Sequence, residues 1–471
     1  MSATTYISTR GEAPELGFED ALLAGLARDG GLYVPKAWPG LSSAALAAMP
    51  GKSFAEVAAD TVARYAGGPG LGTPEILELA QAAYGRFGHP ATTPLVEIDR
   101  NLWILELFHG PTLAFKDVAM QLLARLMDRV LAARGERATI VGATSGDTGG
   151  AAIEAFRGSR RVDCIILFPN GRVSDVQRRM MTTAREDNVH ALAIDGTFDD
   201  CQALVKGMFN DHGFRDRVRL AGVNSINWAR IVAQITYYLV AGAALGSPHR
   251  KVSFAVPTGN FGDIFAGYAA RQMGLPVETL AIATNDNDIL RRAHAHGSYQ
   301  VQGVAATTSP SMDIQISSNF ERYLFEASGR DAAWVRGRMG ELQQSGEFRL
   351  GEAVQARMTA DFAAASASEA EVAATIRRVR RDSGYLLDPH TACGVVAAEK
   401  VLPRGVVPRV VLATAHPAKF PDAVEAIAGE RPALPPRLGT LLTEPERFEV
   451  LANDLAAVKR FVSARSGAAR G

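Results

Sequence analysis

Residues 139–152 read TIVGATSGDTGGAA. An unbroken apolar run leads into a turn of glycines and hydroxyls, and an alanine-rich helical pattern follows. A strand buried on one face alternates apolar and polar residues. An unbroken run means both faces are covered, as in a parallel sheet packed between helices. The turn has its own chemistry. Gly146, Gly149 and Gly150 let the backbone approach a ligand closely, and the helix start offers free N–H groups to an anion. Thr144, Ser145 and Thr148 add hydroxyls. An ordinary strand-to-helix turn capped by Ser or Asp accounts for this stretch equally well when it is taken alone.

The same motif recurs. CIILF (164–168), VHALAI (189–194), VSFAV (252–256), TLAIAT (279–284) and VVLAT (410–414) are further apolar runs closed by small or polar residues. Amphipathic helices lie between them; Val118, Leu122, Leu126 and Val130 repeat every four residues. TFDD (197–200) reads as a capping box. The pattern predicts an α/β architecture of parallel sheets covered by helices. The alanine-rich stretch 356–384 reads as helical, and 464–471 as a flexible tail.

Bulk properties narrow the function. The chain has 471 residues, with 50 Lys plus Arg against 50 Asp plus Glu. This balance favours neither nucleic acid nor an anionic membrane surface as a partner. Cys164, Cys201 and Cys393 show neither metal spacing nor a disulfide framework, so no metal site is expected. No apolar signal core opens the sequence and no run is long enough to span a bilayer, which predicts a cytoplasmic protein.

Ligands of open parallel sheets bind beyond the carboxyl ends of the strands. Two further loops follow such ends. VPTGNFGDI (256–264) lacks the closing Gly-Lys-Ser/Thr of a P-loop and does not fit G-x-G-x-x-G. It fits a single-phosphate cradle built from the amides of Gly259, Asn260, Phe261, Gly262 and Asp263. The Asp263 side chain reads as capping the helix. In VVLATAHPAKF (410–420), the Thr414 hydroxyl closes the strand and faces the crevice, while His416 and Lys419 read as structural or exposed. Finally, HGPTLAFKDVAMQ (109–121) sets Lys116 after Leu113, Ala114 and Phe115. A lone lysine there is most often a surface residue at a helix start. Beside an anion-binding helix start, a phosphate cradle and a strand-end hydroxyl, it matches what pyridoxal 5'-phosphate needs.

YISTRG (6–11), DGGLYVP (29–35), HGPTLAFKD, GATSGDTG, NSINWARI, VPTGNFGDI, LDPHTACG (387–394) and ATAHPAKF occur in this order along nearly the whole chain. In these motifs the sequence resembles the threonine synthases, of the longer branch found in proteobacteria and fungi. The resemblance implies a fold-type II pyridoxal-phosphate enzyme, like the tryptophan synthase β subunit, with an extra N-terminal domain. The implied domains are 1–93 (N-terminal), 94–136 (large domain, first part), 137–244 (small domain) and 245–471 (large domain, second part, with the C-terminal helices). It implies that Lys116 attaches the cofactor and moves protons. Gly259, Asn260, Phe261, Gly262 and Asp263 are implied to hold the cofactor phosphate, and Thr414 to bond the pyridine nitrogen. Thr144, Ser145, Asp147 and Thr148 correspond to the segment holding the substrate carboxylate. Many relatives carry Asn at position 147, and the role of Asp147 is open. Asn224, Ser225, Asn227 and Arg230 fall on the substrate side. The implied reaction, a lyase chemistry, converts O-phospho-L-homoserine and water to L-threonine and phosphate. A serine/threonine dehydratase or phospholyase, or an inactive pyridoxal-phosphate-binding homologue, shares most of these features. The dehydratase differs from a threonine synthase in lacking a second phosphate site. Oligomeric state is not legible in the sequence.

Overall fold

A computed structural model describes residues 4–67 and 70–469. All six apolar runs are parallel strands, divided between two sheets. The larger has six strands in the order 362–366, 277–284, 252–257, 409–413, 102–106 and 95–99. Only its last pair is antiparallel. The smaller is wholly parallel, in the order 448–452, 189–195, 162–169, 138–143 and 220–221. Strands Val162–Pro169 and Val252–Pro257 are buried along their full length, as continuous apolar runs require.

This topology gathers the chemistry. Strand Arg409–Ala413 lies between Val252–Pro257 and Leu102–Glu106. The loops leading to Thr414, to Gly259 and to Lys116 therefore leave the same edge of three adjacent strands. The loop 144–148 leaves the corresponding edge of the smaller sheet, after strand Ala138–Ala143.

Four expectations are revised. The segment after residue 245 does not stay with the large sheet, because strand Phe448–Ala452 pairs with Val189–Asp195 in the small one. Helix Leu455–Arg465 then packs on helix Phe198–Asn210. The end of the chain is tied down rather than loose: the Ser466 and Thr139 hydroxyls are 2.7 Å apart and the Gly467 N–H donates to Asp163 at 2.7 Å. Residues 470–471 of the expected tail lie outside the described residues.

Helix Trp228–Ala244, expected with the small sheet, packs against helices Phe54–Ala66, Lys116–Arg134 and Gly262–Gln272. It is apolar on nearly every side and is stable only where it is surrounded. The alanine-rich stretch 356–384 is interrupted by a strand, Phe362–Ser366, on the edge of the large sheet. Alanine favours helix, but Ala365 packs with Ala283 and Ala397, and small side chains let helix Pro389–Val401 lie close on the sheet. The N-terminal residues share one core with the rest. Tyr6, tilted, and Tyr65, edge-on, pack around Trp228 at ring separations of 6.0 and 5.7 Å.

Candidate active site

A cavity of about 300 Å³ opens between the carboxyl edges of the two sheets. Lys116, Thr148, Asn224, Ser225, Arg230, Gly259, Asn260, Phe261, Gly262, Asp263 and Thr414 all line it. Eleven residues named from sequence thus converge from five separate segments. Among the described residues, no His/Cys/Asp/Glu group is arranged to hold a metal ion.

Lys116 is the first residue of helix Lys116–Arg134. The turn before it is held from both sides. The Thr112 N–H and hydroxyl each donate to Asp117 at 2.7 Å. The Phe115 N–H donates to the Thr414 carbonyl at 2.9 Å, and the His416 N–H to the Leu113 carbonyl at 3.0 Å. Leu113 adopts a left-handed φ of 59°, which swings the chain so that Phe115 and Lys116 face inward. The lysine is 9% exposed. Burial depresses its pKa. Asp147 at 3.4 Å opposes that shift, Lys419 and Arg230 reinforce it, and the net result is downward.

At the cradle, Gly259 has no room for a side chain, since a Cβ would lie 2.8 Å from the Ser311 carbonyl. Phe261 takes a left-handed φ of 62° and buries its ring against Phe320, so only its backbone faces the cavity. Asp263 does not cap the helix. One carboxylate oxygen accepts from the Tyr237 and Tyr238 hydroxyls, and the other has no partner among the described residues. Burial raises the Asp263 pKa and the two tyrosine hydrogen bonds lower it, leaving it at about 6.

A raised carboxyl pKa means the folded protein binds this proton more tightly than the unfolded chain. The stabilisation is complete below the unfolded value and is lost as pH rises through about 6. We expect the stability of cofactor-free wild type relative to Asp263→Asn to fall by about 3 kcal/mol between pH 4 and 7 and then level off. Urea unfolding of both proteins across that range checks it; a pH-independent difference removes the assignment.

Arg230, in the first turn of helix Trp228–Ala244, is 3% exposed. Among the described residues its guanidinium makes one hydrogen bond, a long contact of 3.5 Å to the Val223 carbonyl, and its Nε has no partner. Burial without a counter-charge pulls its pKa down to about 10. Asn227 departs from expectation: it caps that helix and its amide donates to the Leu22 carbonyl at 2.9 Å, away from the cavity. In the loop 144–148 only Thr148 reaches the cavity. The Thr144 oxygen accepts the Gly146 and Gly149 N–H groups at 2.9 Å, which organises the turn, and Ser145 is exposed. Gly146 is required there: its φ is 143°, and a Cβ would lie 2.6 Å from the Gln177 amide nitrogen.

Four residues without a role in the sequence reading shape the site. Lys419 is buried rather than exposed. It is 1% exposed and bonds Asp147 at 2.7 Å and the Thr112 carbonyl at 2.8 Å. The pattern of HPAKF, a lysine after small and apolar residues, is the same signal that marks Lys116. His390 lines the cavity. Its Nε2 accepts the Ser311 N–H at 3.2 Å, so Nδ1 carries the proton shared with Asp388 at 2.9 Å. The Asp-Pro pair before it is a helix-start signal that places His390 in a first turn. Ser311 carries that N–H and lines the cavity from the short 3-10 helix Pro310–Met312. Arg322 is fully buried and donates to the Tyr33 carbonyl at 3.0 Å, the Ile226 carbonyl at 2.5 Å and the Asn319 side chain. Asn319 in turn donates to the Ser225 carbonyl at 3.1 Å, and its N–H to the Asn260 carbonyl at 3.0 Å. One guanidinium thus joins the N-terminal strand, the loop 224–227 and the phosphate cradle.

Three family models cover most of the chain. They are the threonine synthase N terminus over 5–84, the pyridoxal-phosphate dependent enzyme over 87–337, and the threonine synthase C-terminal model over 391–462. The chain belongs to the threonine synthase family. A threonine synthase of Pseudomonas aeruginosa is 52% identical over 459 residues, covering 97% of this chain and 98% of that one. That of Saccharomyces cerevisiae is 41% identical, covering 98% of each. The solved structure of pyridoxal-phosphate-bound threonine synthase from Brucella melitensis superposes with a TM-score of 0.96 at 60% identity. It covers 99% of this chain and 100% of that one. The yeast threonine synthase structure gives 0.93 at 39%, covering 98% and 99%. The cofactor of this family, pyridoxal 5'-phosphate, fits the residues present: a buried lysine of depressed pKa, a backbone cradle closed to side chains, and a strand-end hydroxyl.

Proposed function

We propose that this chain converts O-phospho-L-homoserine and water to L-threonine and inorganic phosphate, as a carbon–oxygen lyase. The observation that carries the reading is Arg230. Its guanidinium is buried, lacks a carboxylate partner among the described residues, and shares one cavity with Lys116 and a separate phosphate cradle. A dehydratase needs the cradle alone; a second anion site fits a substrate that brings its own phosphate. With the bound cofactor acting as an electron sink for charge developing next to the amino group, the protein's remaining work is positioning and proton transfer.

Lys116 Nζ would take the proton from the substrate Cα and hand it to the bound cofactor; free again, it would take one from Cβ as the Cγ–O bond breaks and phosphate leaves with the bonding electrons. The ammonium would return that proton to Cγ, water would add its hydroxyl at Cβ with its other proton leaving on phosphate, and the first proton would go back to Cα. A single flexible amine held at the cavity floor reaches adjacent carbons, and its depressed pKa leaves it a free base part of the time. Gly259–Asp263 hold the cofactor phosphate through backbone N–H groups, and Thr414 bonds the ring nitrogen. Thr148 and the N-terminus of helix Asp147–Phe156 take the substrate carboxylate. Arg230, with Asn224 and Ser225, takes the substrate phosphate. A cytoplasmic setting belongs to the same reading, with Cys164, Cys201 and Cys393 buried as free thiols.

Purified protein supplied with pyridoxal 5'-phosphate and O-phospho-L-homoserine should release threonine and phosphate in equal amounts. Release of a 2-oxo acid from serine or threonine as the dominant activity would favour the dehydratase. Thr414→Ala removes one neutral hydrogen bond, about 0.5–1.5 kcal/mol. Cofactor affinity, followed by fluorescence titration, should weaken a few-fold to about tenfold. An unchanged affinity places the ring nitrogen elsewhere.

A further inference from the structure

The Asp147 carboxylate stands at the start of the helix whose N-terminus is proposed to receive the substrate carboxylate. A bare negative charge there opposes that binding. The structure gives it four neighbours, all from outside its own loop. Lys419 Nζ lies 2.7 Å from Oδ1 and Lys116 Nζ 3.4 Å from Oδ2. Gln177 donates to Oδ1 and Ser311 to Oδ2, each at 3.0 Å. Burial acts to raise the Asp147 pKa. Lys419 first and Lys116 second outweigh it, and the group stays ionised well below the usual carboxylate range.

The two lysines are not equivalent. Lys116 Nζ is the nitrogen that changes bonding during the proposed reaction, so its charge is not constant. Lys419 is 1% exposed and does not line the cavity, so it contacts neither substrate nor cofactor. Its second bond, to the Thr112 carbonyl at 2.8 Å, fixes it against the turn that presents Lys116.

We propose that Lys419 is a positioning residue that permanently neutralises Asp147 and thereby sets the affinity of the loop 144–148 for the carboxylate of an amino-acid substrate. This rests on the reading under Proposed function. Its signature is selectivity for the carboxylate: a ligand without that group should not sense the change. Like charges brought close at a site are strongly disfavoured, and the penalty disappears when either charge is removed.

The test uses holoenzyme and two ligands, O-phospho-L-homoserine and 3-aminopropyl phosphate, which has the same amine and phosphate but no carboxylate. Wild-type turnover is measured first; its absence overturns the proposed function and not this inference. In Lys419→Met, the KM for O-phospho-L-homoserine should rise at least about tenfold, while inhibition by 3-aminopropyl phosphate stays within about twofold. The visible absorbance of the cofactor should be retained. Lys419→Met with Asp147→Asn, which removes both charges, should recover most of the lost selectivity. Equal weakening of both ligands in the single variant, or a double variant as impaired as the single, overturns the proposal. If Lys419→Met does not fold, the double variant decides. A folded double variant with KM within about fivefold of wild type supports the charge role. A larger rise, or failure of both proteins to fold, assigns Lys419 to the scaffold.

Discussion

Lys116→Ala should be folded, able to bind pyridoxal 5'-phosphate without becoming joined to it, and inactive. The substitution removes the group proposed both to attach the cofactor and to act as base in successive proton transfers. General-base removal alone typically costs about 10²–10⁴-fold. Losing several transfers at once should take turnover below detection, and at least about a thousandfold down. Folding should survive for a specific reason. Asp147 remains paired with Lys419 at 2.7 Å, so no buried carboxylate is stranded. Lys116 is itself a desolvated amine, and removing it relieves rather than creates a buried charge. Thermal unfolding of the cofactor-free variant should therefore match or exceed wild type. The wild-type absorbance of the lysine-bound cofactor should be missing. A normal lysine-bound spectrum in Lys116→Ala, or turnover within tenfold of wild type, removes Lys116 from the reaction.

The sequence made the strands legible because burial on both faces leaves unbroken apolar runs, and all six such runs are strands of the two sheets. Cofactor-side residues were legible for a related reason. One glycine turn after a strand is ambiguous by itself, but parallel topology sends several such loops to a common edge, and their combination marked the site. What escaped was long-range pairing. Nothing near Lys419 in sequence announces a carboxylate 272 positions earlier, yet that contact turns an apparently exposed lysine into a buried one. Arg322 was invisible for the same reason: its partners are backbone carbonyls of Tyr33 and Ile226, and a carbonyl has no sequence signature. Asn227 was assigned to substrate because its neighbours are, although its side chain faces the first helix of the chain. Helix propensity misled at 362–366, where alanine serves close helix–sheet packing.

Arg322 also shows why the N-terminal residues matter to a site they do not line. The loop 224–227 is held through its carbonyls as well as through the Asn227 side chain. Its geometry depends on a guanidinium whose own position is fixed by Tyr33. The substrate side of the cavity is therefore only as rigid as the packing of the N-terminal strands against it.

Arg230→Ala should separate substrate binding from everything else. The guanidinium is 3% exposed, has a single long hydrogen bond, and is depressed to about pKa 10 by burial. A charge held this way is a standing cost to the folded protein. Its removal should leave stability unchanged or improved, the usual trade of stability for function at a binding site. Catalysis should suffer in proportion to the anion it grips. Losing one partner of a buried, hydrogen-bonded charge pair costs about 2–5 kcal/mol, or roughly thirtyfold to a few thousandfold in kcat/KM for O-phospho-L-homoserine. Most of the loss should fall on KM, because the phosphate is bound before it leaves. The cofactor spectrum should not change, since the cradle proposed for its phosphate lies apart, at 259–263. Arg230→Lys should recover little, because an ammonium cannot grip two phosphate oxygens as the planar fork does. The opposite pattern, a variant destabilised by several kcal/mol with kcat/KM intact, would make Arg230 a packing residue and leave the substrate phosphate to another part of the cavity.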